Sequence, residues 1–203
     1  GIGSMAPMRE DRHQSFPQGG QAEHMLAHDG RVYQGIYPGG TINSFRAEEL
    51  HDGVAPRIDC TIGANQNRPY ALHSAGDRLY FGSQAAEGHD AGAFGWLDTG
   101  TGECTTIEEP IGHQSINSLT ASADKIFGAG NIFYSWDGLP LQDEATVMVF
   151  DETTEDIAQV QPPIEGLRSL NAAVTAADGT VWFYAEGWLL AMDPQTLEWV
   201  HTA

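Results

Sequence analysis

Arg68, His113, Tyr70 and His73 are the side chains whose types fit one demanding reaction. A guanidinium clamps a carboxylate bidentately. Neutralising that charge acidifies the neighbouring C–H, and a His or Tyr then removes the proton as general base. The substrate would be a uronate, and the reaction a β-elimination. Around these residues stand Gln21, Glu23, Gln66, Asn67, Gln114, Asn117, Tyr134, Trp136, Arg168, Asn171 and Trp188. Amides and guanidinium groups pair with hydroxyls while aromatic rings stack on apolar sugar faces, so this mixture suits a glycan or another small polar ligand. Arg168 offers a second guanidinium for the same task.

Each candidate also has a plainer reading. Arg68 can pair with Glu23 and tie two parts of the fold together. His113 can be a satisfied structural donor with Gln114 beside it, and Tyr70 can line a channel. Phe133, Tyr134 and Trp136 can pack on one another in a long loop. The eight histidines raise the question of a metal. On a strand His24 and His28 lie on one face but roughly 13 Å apart, too far to share an ion. A divalent metal would have to gather His24, His73, His89 and His113 from separate segments, and no metal ligand set is assigned. Gly-x-Ser-x-Gly is absent, neither Cys60 nor Cys104 has a His nearby in sequence, and no phosphate-cradling glycine loop carries a Lys.

The charge narrows the partners. Acidic residues number 28 against 9 basic ones, a net charge of −19, which argues against holding nucleic acid through its phosphates. The carboxylates are scattered, as on a solvated acidic surface. No run approaches the roughly 20 apolar residues of a membrane span. The N-terminus lacks the basic start and apolar run of a secretory signal. Either export does not occur or a processed segment is missing from this chain; the reading leans to secretion. Cys60 and Cys104 leave one disulfide open, each falling near the outer strand of a different repeat unit.

What must position these residues is an internal repeat. Four segments of equal length run from 21 to 33, 68 to 80, 115 to 127 and 170 to 182. Each is a small-residue strand, a polar turn (Asp29-Gly30, Gly76-Asp77, Ala123-Asp124, Asp178-Gly179) and an apolar-aromatic strand. Such dipeptides supply the positive φ of a tight hairpin. The segments end on Tyr33, Tyr80, Phe127 and Trp182, spaced by 47, 47 and 55 residues and expected to be core between units. Later in each unit an apolar run meets an Asp and a turn, at Asp98, Asp151 and Asp193; the first unit has Arg46 there. Four short strands in about 40 to 50 residues is the signature of a propeller blade.

The Asp29-Gly30-Arg31-Val32-Tyr33 hairpin and the apolar-Asp-x-x-Thr turns resemble bacterial repeat β-propellers of the quinoprotein-like, Kelch-like and WD40-like kinds. The resemblance covers about residues 20–203, while the Trp-Asp and Gly-His landmarks of WD40 blades are missing. It implies an all-β β-propeller of four-stranded antiparallel blades at about 21–64, 65–111, 112–165 and 166–203. These would form part of a larger wheel, closed by further blades or another copy, with 1–20 as the end of a preceding blade. The first strand of each blade would then line a central channel, and the loops entering it would gather on one face. The expectation is ligand recognition there. The alternatives are a polysaccharide lyase and a protein–protein interaction scaffold with aromatic loops as anchors.

Overall fold

The computed structural model describes residues 2–5, 13–16, 20–63, 65–135 and 139–203. Its described residues form an all-β structure of four four-stranded antiparallel sheets, preceded by a hairpin of β1 (Ile2–Met5) and β2 (His13–Phe16). The first sheet holds β3 (Gln21–His28), β4 (Arg31–Tyr37), β5 (Thr41–Phe45) and β6 (Arg57–Thr61). The second holds β7 (Gln66–Ala75), β8 (Arg78–Ala85), β9 (Ala93–Asp98) and β10 (Cys104–Glu108). The third holds β11 (Ser115–Ser122), β12 (Lys125–Asn131), β13 (Val147–Asp151) and β14 (Ile157–Val160). The fourth holds β15 (Ala172–Thr175), β16 (Val181–Ala185), β17 (Trp188–Met192) and β18 (Trp199–Thr202). In every sheet the strands lie in chain order. A short helix, α1 (Ala47–His51), packs Leu50 against Phe45 and Val32. No described helix is long and apolar enough to cross a membrane.

Turn chemistry sets the registers. His28 pairs with Arg31, Ala75 with Arg78 and Ser122 with Lys125, so each of the first three hairpins closes over two residues. Asp29, Gly30, Gly76, Ala123 and Asp124 take the positive φ such turns need. The fourth hairpin differs. Thr175 pairs with Val181, and Asp178-Gly179 sits inside a longer turn across 176–180.

Three apolar cores separate the four sheets, each built from facing sides of successive sheets. Tyr33, Ile42 and Cys60 meet Leu72, Leu79 and Phe81. Tyr80, Phe94 and Trp96 meet Ile116, Ile126 and Phe150. Phe127, Val147 and Val149 meet Val181, Phe183 and Leu190. Alternate residues along a strand point to opposite faces, so β8 contributes Leu79 and Phe81 to one core and Tyr80 to the next. Tyr33, Tyr80 and Phe127 are buried as expected, a burial worth about 1.5–3 kcal/mol for each such side chain. Trp182 corrects the expectation. It lies only partly buried, its ring 5.4 Å from that of His201 in its own sheet, on the face that also exposes Val174, Tyr184 and Leu189. It belongs to the last of the four sheets, so no described sheet follows to cover it.

Small residues allow the close stacking. A Cβ on Gly82 would lie 2.5 Å from Ile116 Cγ2, and one on Gly35 would lie 2.5 Å from the Pro69 carbonyl oxygen. Both members of these two pairs are 47 residues apart, so one approach recurs between successive sheets. A disulfide joins Cys60 to Cys104, with Cα atoms 5.8 Å apart, linking the outermost strands of the first and second sheets.

Candidate functional site

The innermost strands β3, β7 and β11 each lose register near their start. The residues out of register include Glu23, between Ala22 and His24, Tyr70, between Arg68 and Ala71, and Asn117, between Ile116 and Ser118. These three stand 47 residues apart. A bulge turns a side chain out of the pleat and re-aims it. At the ends of the adjacent strands β4, β8 and β12 stand Tyr37, Gln84 and Asn131, again 47 residues apart.

Two adjoining hollows result, and Gln84 lines both. One, of about 310 Å³, is lined by Tyr37, Asn67, Arg68, Gln84, Ala85 and Glu87. The other, of about 300 Å³, is lined by Tyr70, Gln84, Asn117, Asn131 and Asn171. Each lies at the small end of the range for ligand pockets. Arg68, Asn67, Tyr70, Asn117 and Asn171, all expected from sequence, are therefore brought to one place.

Arg68 is held from two sides. Its Nη1 donates to Glu23 Oε1 at 2.6 Å, and its guanidinium carbon sits 3.7 Å from the Tyr37 ring centroid. Burial would lower the Arg68 pKa, but the oxygens of Tyr70, Glu23 and Tyr37 outweigh it and raise the value. Burial raises the Tyr70 pKa despite the neighbouring Arg68, so this phenol stays protonated at neutral pH. Gln21 lies outside the hollows, exposed, with Nε2 3.4 Å from Glu23 Oε1.

Other expected residues lie elsewhere. Gln66 is buried, donating to the Ala91 carbonyl and accepting from Ser83. Gln114 is buried too, donating to the Thr146 hydroxyl and accepting from the Thr146 amide. Each amide ties the start of its sheet's first strand to the segment just before the third strand. His113 Nδ1 is 3.4 Å from Asp90 Oδ2, and His113 lines neither hollow. His73 pairs in register with Tyr80, further along β7, and burial lowers its pKa against the pull of Glu152. Arg168 sits 4.9 Å from the Phe133 ring centroid, Tyr134 is buried, and Trp188 is exposed at the start of β17. Trp136 falls outside the described residues. His24 Nδ1 lies 3.0 Å from the Tyr70 carbonyl oxygen. Among the described residues no group of three or more His, Cys, Asp or Glu is placed to hold a metal, so His24, His73, His89 and His113 do not converge.

Tyr37, Gln84, Glu87 and Asn131 fall in the loops that the sequence places between second and third strands on the ligand face, but they were not among the candidate site residues. The signal for three of them was available, since Tyr37, Gln84 and Asn131 share the 47-residue spacing of the hairpins.

The fold thus defines an all-β protein built from four repeated four-stranded sheets, with a polar double hollow where their inner strands begin. No protein-family model and no curated protein matches the chain. Among solved structures it is similar to the crystal structure of the computationally designed Ika4 protein, with a TM-score of 0.57 and 15% sequence identity. That likeness covers 86% of this chain and 91% of Ika4 and is one of fold alone.

Proposed function

We propose that the four sheets are consecutive blades of a β-propeller and that the double hollow on the loop-bearing face binds a glycan or another small polar ligand. One observation carries this reading: successive sheets deliver polar side chains to one hollow from equivalent repeat positions, Tyr70 with Asn117 and Gln84 with Asn131. Structural amides of this fold, Gln66 and Gln114, are buried and bonded at both ends, whereas the hollow's amides face open space. The outward face of the fourth sheet, with Trp182, Val174 and Tyr184, is where a further blade or another copy would continue the wheel.

β-Elimination has one support, the presence of Arg68 beside Tyr70. We rank it second because Arg68 is paired with Glu23, Tyr70 is protonated, and His113 is at Asp90 instead. Titration calorimetry against a panel of neutral and uronate-containing oligosaccharides tests the first reading. Binding that is lost in Gln84→Ala supports it, and a folded protein that binds none of the panel contradicts it. New ultraviolet absorbance from an unsaturated uronate would promote the lyase.

A further inference from the structure

The amides of the second hollow are not interchangeable polar groups, because each is already bonded at one end. Gln84 donates through Nε2 to the Phe133 carbonyl, and Asn171 donates through Nδ2 to Ser169 Oγ. Their carbonyl oxygens, Oε1 and Oδ1, accept no hydrogen bond from a described residue. Asn117 Oδ1 lies 3.1 Å from Ser115 Oγ, whose single proton is also in reach of the Asn131 and Phe133 carbonyls, and Asn131 Oδ1 accepts from the Phe133 amide. Their Nδ2 groups donate to no described residue. Backbone partners hold Gln84 and Asn131, so the hollow presents one fixed acceptor and one fixed donor beside the hydroxyl-partnered amides of Asn117 and Asn171, and none of its five lining residues bears a charge at neutral pH.

We infer that this hollow selects an uncharged polyhydroxyl ligand, a neutral sugar, and turns away a uronate; the inference rests on the glycan-binding reading above. A hydroxyl donates once and accepts besides, so adjacent hydroxyls satisfy an acceptor and a donor together. An ionised carboxylate only accepts. It would meet Asn117 and Asn131 well but set its charge against the Gln84 and Asn171 oxygens. Polar groups that a bound ligand covers and leaves unpaired are costly, and more so for charged partners. The nearest cation, Arg68, lines the adjoining hollow, where it is already bonded to Glu23 and shares the lining with Glu87. The hydroxyl of Tyr70 can turn to donate or accept, so it fits either hydroxyl face.

The test uses neutral cello-, xylo- and malto-oligosaccharides and, in parallel, oligogalacturonates, with the whole chain and its Asn117→Asp and Asn131→Asp variants. Asp keeps the oxygen that Ser115 or Phe133 already bonds and replaces only the outward-facing donor, so the melting temperature reports whether the fold survives. The expected result is a neutral oligosaccharide bound at least about tenfold more tightly than any oligogalacturonate. Each variant should weaken that binding about tenfold or more with melting little changed. Oligogalacturonate binding as tight as that of the neutral sugars, and lost in Gln84→Ala, would overturn the selectivity while leaving a glycan site in place. Neutral-sugar binding unaffected by either Asp variant would overturn the assignment of donors. A folded protein that binds none of the sugars would overturn this inference together with the reading it rests on.

Discussion

Arg68 reaches across from the second sheet to place its Nη1 2.6 Å from Glu23 Oε1 in the first. The side chains are 21% and 9% exposed, so the pair is neither a surface ornament nor wholly dry. Glu23→Gln would leave the guanidinium without its counter-charge. We expect a loss of about 1–3 kcal/mol in stability, read from the midpoint of denaturant unfolding, between the values for exposed and buried pairs. The same variant frees Arg68 for an anionic ligand, so oligogalacturonate affinity should rise. An unchanged midpoint and unchanged affinity would mean the pair does neither job.

Cys60 and Cys104 bridge 44 residues of chain, from the outer edge of one sheet to the outer edge of the next. Chain-entropy arguments give about 4 kcal/mol for a loop of that length. Reduction, or Cys60→Ser with Cys104→Ser, should lower the unfolding midpoint by that order. Equal midpoints with and without reductant would contradict the linkage.

At Gly82 of the second sheet's β8, Ile116 of the third sheet's β11 packs close to the backbone. In Gly82→Ala the new methyl group would meet Ile116 Cγ2 at 2.5 Å, against a side chain that is itself fully buried. Overpacking of this kind costs about 1–3 kcal/mol. The matching change in an open turn, Gly39→Ala, meets nothing within 4 Å and isolates the backbone contribution, since Gly39 has a φ of +101°. Thermal unfolding of the pair separates packing from backbone strain.

Alkali should unfold the protein through its tyrosines. Tyr80 donates to Glu152 at 2.7 Å, and burial first, then that carboxylate, push its pKa well above the ordinary 10.0. Burial also raises Tyr33 and Tyr70. A raised folded-state value means the unfolded chain releases its proton first. The stabilisation is thus complete below pH 10.0 and is lost as pH climbs from there towards the folded values. Thermal midpoints should fall above pH 10.0, and phenolate absorbance should appear later in the native protein than in the unfolded chain. Coincident titration curves would contradict this.

Much of the fold was legible because a repeat exposes both kinds of turn. Asp29-Gly30, Gly76-Asp77 and Ala123-Asp124 marked tight hairpins, while Asp178-Gly179 marked a longer turn, and Asp98, Asp151 and Asp193 each cap a turn by accepting from the backbone amides two and three residues on. Trp182 was misjudged because burial of a repeat's anchor depends on the sheet that follows, which local sequence does not contain. The site was only half legible for a related reason. Gln66 and Gln114 are the right residue types, yet they point into the sheets, while the register breaks at Tyr70 and Asn117 turn neighbouring positions outwards. A residue's type does not disclose a bulge. The 47-residue spacing of Tyr37, Gln84 and Asn131 carries the missing signal, since it matches the spacing of Tyr33, Tyr80 and Phe127.

The most direct measurement follows the side-chain amide resonances of Gln84, Asn117, Asn131 and Asn171 by NMR while a neutral oligosaccharide is added. The account expects these four signals to shift together and saturably, with those of Gln66 and Gln114 unmoved in their buried bonds. Shifts at Gln66 and Gln114 without any at the four, or saturable binding that leaves all of them unmoved, would contradict it.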